Sequence, residues 1–269
     1  MTREDLQFLL SLLLLGAAAT AAAQRQNDTG QTTCYNFNAS TGTVAPGTPD
    51  PETEGYNEQD CTRGAAAADA LGRMVKVGGS SVPGRDYSKI ANDGSVLGSS
   101  ATLGTGPTDW ACTRDNITGL IWEIRVNDPA NLRHREHRYT WYDTNAAING
   151  GNAGTEASDT CNSTLTNCHT TAYRDAVNAL TGGNRLCGAT DWRLPTANEL
   201  GSLVNAGAAS APAIDSIWFP NTASEIFWSG ESAAPDASTA WMVSFNFGGE
   251  TERTSKNFAA ELRLVRGGQ

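Results

Sequence analysis

The sequence predicts an α+β protein: short twisted antiparallel strands and two helices, stapled by disulfides and preceded by a Gly/Ser/Thr-rich N-terminal extension. Three observations predict it. The block Asp191-Trp192-Arg193-Leu194-Pro195-Thr196-Ala197-Asn198-Glu199-Leu200 encodes a strand, a stop and a capped helix in succession. Trp192 and Leu194 keep period-2 spacing, Pro195 ends the ladder, and Thr196 with Glu199 forms a capping box for the helix's first N–H groups. Short apolar segments recur around this block with strand periodicity. Six cysteines follow an apolar leader, the usage of a chain that matures in an oxidising compartment.

At the N-terminus an apolar run, Leu6 to Leu15, leads into the small residues Ala17 to Ala23, so residues 1–23 read as a secretory signal peptide. Arg3 is followed by Glu4 and Asp5, and a retained N-terminal anchor is the alternative. Residues 24–106 are rich in Gly, Ser, Thr, Asn, Ala and Pro and hold little core material. Within them Ala65 to Leu71 favours a short helical turn between two glycines. Met74 to Val77 and Asp86 to Ile90 read as strands, and Asn92-Asp93-Gly94 turns the second into Ser95-Val96-Leu97 as a hairpin.

After Pro107 the composition shifts to regularly placed aromatics, which makes 107–269 the main domain. Thr118 to Arg125 is a strand with Leu120, Trp122 and Ile124 on one face, and Tyr139 to Tyr142 is another. Tyr173, Ala176, Val177 and Leu180 follow helical spacing, so Thr171 to Leu180 is a helix. Thr196 to Asn205 is the second helix. Ile226-Phe227-Trp228, Ala240 to Phe247 and Glu261 to Arg266 are strands, with Trp241, Val243, Phe245 and Phe247 on the core face of the middle one.

The cysteines suggest a pairing. Cys34 and Cys61 flank a polar loop, Cys161 and Cys168 flank a short one, and Cys112 and Cys187 then remain to pair, one connectivity among the several that six cysteines allow. The alternative for Cys161, Cys168 and His169 is a metal, but neither the spacing nor a second histidine supports zinc.

Removing residues 1–23 takes away one Arg, one Glu and one Asp, so the formal charge moves from −10 to −9. Such a field repels nucleic acid and anionic surfaces, so no nucleic-acid partner is expected. Beyond the leader no apolar stretch is long enough to span a bilayer. There is no Gly-x-Ser-x-Gly elbow, no His-Glu-x-x-His and no phosphate-cradling glycine motif, so no enzyme is expected. Glu123 and Glu199 are candidates for a carboxylate pair, but the capping box already explains Glu199, and Glu123 reads as a structural partner for a backbone or Arg group.

Trp110-Ala111-Cys112, Thr118-Gly119-Leu120-Ile121-Trp122-Glu123, Thr140-Trp141, the Asp191 to Leu200 block, Pro212-Ala213-Ile214-Asp215, Phe219-Pro220-Asn221-Thr222, Phe227-Trp228-Ser229, Ala240-Trp241 and Leu264-Val265-Arg266-Gly267-Gly268 occur in an order that resembles the Lcl C-terminal domain family. That family, formerly a domain of unknown function, is named for a collagen-like bacterial adhesin. The resemblance implies a C-type-lectin-like fold, shared with formylglycine-generating enzymes and variable ligand-binding proteins, and such folds host unrelated functions. The adhesin is associated with sulfated polysaccharide and host-surface binding; this chain lacks the collagen-like repeat. It also lacks the late cysteine pair that formylglycine-generating oxidases use.

The resemblance places ligand contacts in the loop after Trp228 and beyond, at Glu231, Ser232, Asp236, Ser238, Ser244, Asn246, Glu250, Thr251, Glu252, Arg253, Lys256 and Asn257. Met242, Ser244 and Asn246 alternate with the core aromatics and are expected on the displayed face. No cofactor is expected; calcium, natural to such a fold, is the alternative, at Asn149 to Glu156 with Asp159, against the plainer reading of a flexible turn cluster, and the sugar-binding triplets of C-type lectins are absent. Arg133, Arg135 and Arg138 form a candidate anion patch, against the plainer reading of a solvated charged loop. His134 and His137 would share a metal only with a third ligand, and none is expected. The expected function is a secreted, periplasmic or cell-surface binding module for a glycan or a cell-surface protein. The alternatives are a structural subunit of a surface or filamentous assembly and, third, an oxidase. A homo-oligomer stays open.

Overall fold

The computed structural model describes residues 27–31, 33–38, 43–46, 61, 64–156, 159–246 and 248–267. The expected signal peptide, Phe247 and the Gly268 end of the last motif lie outside the described residues.

The strands are β1 (Tyr35–Asn38), β2 (Thr43–Pro46), β3 (Tyr87–Ala91), β4 (Val96–Leu97), β5 (Trp110–Asp115), β6 (Leu120–Glu123), β7 (Ile226–Ser232), β8 (Thr239–Ser244), β9 (Thr251–Ser255) and β10 (Val265–Gly267). The helices are α1 (Gly64–Ala70), α2 (Thr170–Asn178) and α3 (Ala197–Gly201). The chain is thus α+β, and its named strands pair antiparallel in sheets ordered β1-β2, β10-β6-β5-β3-β4 and β7-β8-β9.

The larger sheet grows from local turns and one long-range closure. Gly94, at φ 91°, turns β3 into β4. Asp115 Oδ1 accepts the Ile117 and Thr118 N–H groups at the turn into β6, where Gly119 holds φ 77°. The last strand returns to pair Val265 with Trp122. β3 and β4, which precede Pro107, are hydrogen-bonded into this same sheet.

Both faces of the sheet are covered. Leu120, Trp122 and Ile124 pack with Tyr87, Trp218, Phe219, Phe227 and Phe245, while Ile121 lies against a second cluster of Tyr139, Tyr173, Trp192, Leu262 and Leu264. Disulfides Cys112–Cys187 and Cys161–Cys168 belong to the second cluster, and Cys34–Cys61 completes the expected pairing. A third cluster joins Trp141 and Trp228 to Met242 of β8.

The capping box is present: Thr196 Oγ1 accepts the Glu199 N–H at 3.1 Å, and Glu199 Oε2 accepts the Thr196 N–H at 2.8 Å. The helix it starts is shorter than Thr196 to Asn205. Beyond Gly201 the bonds tighten to Leu203 N–H on Leu200 O and Val204 N–H on Gly201 O, and Arg85 takes the carbonyls of Leu203 and Val204. Three expected strands change as well. Met74 to Val77 stays out of the sheets because Asp86 claims the Val77 and Gly78 N–H groups, leaving Val75 and Val77 exposed. Tyr139 to Tyr142 makes only isolated bridges, to Ala260, His169 and Gly154. Glu261 to Arg266 joins the ladder only from Val265, since Glu261 bridges to Phe227 instead.

Candidate ligand-binding surface

β8 is the scaffold of the surface, and it differs from the expected one-sided strand. Ala240, Met242, Val243 and Ser244 are all buried, and Trp241 is half-buried. Met242 packs with Trp141 and Trp228, so the face expected to be displayed is a second core. Ser244 therefore leaves the set of displayed contacts, at 3 % exposure.

What β8 displays instead lies along β9. Among the described residues that strand pairs only with β8, placing Arg253 opposite Trp241, Glu252 opposite Met242 and Ser255 opposite Thr239. Thr251, Glu252, Arg253 and Ser255 are exposed. Residues directly opposite on a ladder share a face, so Trp241, Arg253, Thr239 and Ser255 form one patch of aromatic, guanidinium and hydroxyl groups. Thr251 to Ser255 was expected as loop, and Trp241 as core. Its half-buried ring beside a charged cross-strand partner has no signal in single-sequence periodicity.

Of the remaining residues, Glu231, Asn246, Glu250 and Asn257 are exposed. Glu231 Oε2 accepts the Ala197 N–H at 2.7 Å, which ties the end of β7 to the first turn of α3. Ser232 is half-buried and donates to Asn149 O at 3.1 Å. Ser238 donates to Asp236 through both its N–H and its hydroxyl, holding that carboxyl below the usual carboxylate range.

Lys256 is a correction with consequences for calcium. It is 2 % exposed, and Nζ donates to Asn149 O at 2.9 Å and Asn152 O at 2.6 Å, 4.1 Å from the Trp141 ring centroid. Burial holds its ammonium below the usual lysine range. Two carbonyls of the oxygen-rich loop thus already serve a cation, so the donor set does not fit calcium. Among the described residues no group of three or more His, Cys, Asp or Glu gathers to hold a metal.

The arginine patch is dispersed. Arg133 is buried and donates through Nη1 to Ile124 O at 3.1 Å. Arg135 pairs with Glu136 at 3.2 Å, and Arg138 with Glu225 at 2.8 Å. Next to them runs a buried ionic core that periodicity could not announce. Glu123 accepts the Tyr173 hydroxyl and the Leu264 N–H, with Arg125 3.8 Å away, and Arg263 donates to Glu123 O and Thr222 Oγ1. Burial pushes Arg263 down to about 10 and Glu261 up to about 7. Glu123 is thus the structural partner its position suggested, and Glu199 is held by the cap and by a two-pronged bond from Arg193 at 2.7 and 2.6 Å.

The profile of the Lcl C-terminal domain matches residues 111–266, more than half of the chain. The chain belongs to the Lcl C-terminal domain family. No curated protein and no solved structure matches it. The Lcl C-terminal match runs from β5 into β10, so it takes in α2, α3, both disulfides of the second cluster and the whole β7-β8-β9 surface. Membership of this family suggests an adhesin-related surface module. The disulfides fit an extracellular location, and among the described residues no helix is long and apolar enough to cross a membrane.

Proposed function

We propose that this Lcl C-terminal protein is a secreted or cell-surface, non-catalytic binding module with a C-type-lectin-like fold, and that it recognises a glycan or a surface protein through the β8–β9 face and the loops around it. The observation that carries the reading is β9: all its side chains but the half-buried Thr254 are exposed, while the two strands behind it are packed on both faces. A polar row on a rigid support loses little conformational entropy on binding. Trp241 supplies an apolar plane, and Arg253, Thr239 and Ser255 supply directed hydrogen bonds beside it. The buried carboxylates do not compete for this role, since Glu123 and Glu199 are engaged by backbone and arginine groups.

A screen of the mature chain against immobilised glycans and intact cell surfaces, in calcium and in chelator, tests the proposal. Saturable binding that is indifferent to chelator is the expected result. The second reading is a subunit of a surface assembly, favoured by β9 lying at the edge of its sheet. Concentration-dependent self-association with no binding in the screen would select it.

A further inference from the structure

We propose that a cleft between the 130–133 loop and the 180–186 segment binds a small α-carboxylate whose neighbouring groups are an amide and an apolar side chain, as at the end of a peptide or in an N-acyl amino acid. This site stands apart from the β8–β9 face and does not depend on the glycan reading. The cleft holds about 310 Å³, enough for one such ligand. Among the described residues no acidic one lines it, although the chain carries 29 acidic residues against 19 basic.

Arg133 provides the anchor. It is 6 % exposed, yet among the described residues it makes no ion pair, and the single bond of its guanidinium there is from Nη1 to Ile124 O. Its Nε and Nη2 have no hydrogen-bond partner among the described residues, and the residue lines the cleft. A buried guanidinium whose Nε and Nη2 are both without a partner lacks its natural one, a planar oxyanion. Asn92 is equally buried; its Nδ2 is spent on Gly106 O, which leaves its side-chain oxygen to accept an amide N–H. Leu132, Leu180 and Leu186 supply the apolar wall. A sulfate or phosphate would use Arg133 but leave that wall and the Asn92 acceptor without partners, and a neutral sugar would leave the cation without one.

The walls are held in place before any ligand arrives. Asn131 Oδ1 accepts the Arg133 N–H, and Arg135 N–H returns to Val126 O. Opposite, Trp192 Nε1 donates to Leu186 O, Gly188 N–H donates to Asn92 O, and Cys187 is tied to Cys112. Such preorganisation reduces the entropy lost on binding.

Calorimetric titration of the full chain with N-acetyl-L-leucine is the test, with N-acetyl-leucinamide and sodium sulfate as controls. Saturable binding of the acid is expected, with both controls weaker by about tenfold or more. Because Arg133 also supports Ile124 O, a second variant is needed beside Arg133→Lys. Asn184→Asp places a negative charge on an exposed part of the cleft lining and is expected to weaken the acid about tenfold with the melting temperature unchanged. No binding of the acid at about 10 mM, or equal binding of the amide, overturns the proposal. Equal binding of sulfate overturns it too and leaves an adventitious ion only. A leucine-ended tripeptide with a free carboxylate separates the sources: binding as tight as the acid points to chain ends, weaker binding to a free acyl amino acid, and both uphold the subsite.

Discussion

Glu261 is 2 % exposed, its Oε2 has no hydrogen-bond partner, and Arg138 reaches its other oxygen only at 3.8 Å. Burial raises its carboxyl to about 7 from an ordinary 4.5. Between those values the folded chain keeps a proton that the unfolded chain has lost, so this group makes stability fall as pH rises through that window. Buried His137, lowered by its own desolvation, acts in the opposite direction just below 6.5. Glu261→Gln leaves the histidine in place and isolates the carboxylate. The variant is expected to match the parent near pH 4.5 and to exceed it by up to roughly 3 kcal/mol at pH 8 in denaturant titrations. A pH-independent difference would contradict the assignment. At this scale the sequence was only partly legible. Glu123 and Glu199 could be assigned structural roles because a local motif or a plain polar-in-strand argument covered them. Lys256 could not, since its burial depends on Asn149 and Trp141, far away in the chain, and neither could Ser244, which is paired across the ladder with Ile226.

Elements were legible where their causes are local. The capping box at Thr196, the β3–β4 turn at Gly94 and the spacing of Tyr173 and Val177 in α2 each act within a few residues. β5 was missed because Trp110 to Thr113 is buried throughout and shows no alternation, and β9 because it contains no apolar residue and exists through its pairing with β8. The two internal disulfides of the second cluster differ in what they constrain. Cys112–Cys187 spans 75 residues and Cys161–Cys168 spans 7, so replacing each pair with serine is expected to cost roughly 4.5 and 2.5 kcal/mol. Equal shifts in denaturant midpoint would count against the loop-entropy account. Lys256→Met removes the ammonium that serves Asn149 O and Asn152 O. The expected result is a loss of about 2 kcal/mol or more, with amide exchange at Gly151 and Gly154 faster and calcium unable to restore it. Rescue by calcium would reopen the metal reading of that loop.

Across the whole molecule, three packed clusters and the return of β10 onto β6 hold the long loops around a small amount of regular structure. The α+β class and the cysteine pairing followed from composition and spacing, whereas the choice of displayed face did not, because β7 and β8 are packed on both sides while β9 is exposed. The outcome shifts attention from a polar loop to a patch centred on Trp241 and Arg253. The most direct test of that patch is the binding of a Trp241→Ala, Arg253→Ala double variant to whichever surface or glycan the parent captures, with thermal unfolding measured in parallel. A patch that makes the contact predicts binding reduced by a hundredfold or so while the fold persists, as for loss of central aromatic and arginine anchors. Unchanged binding by a folded double variant would contradict it.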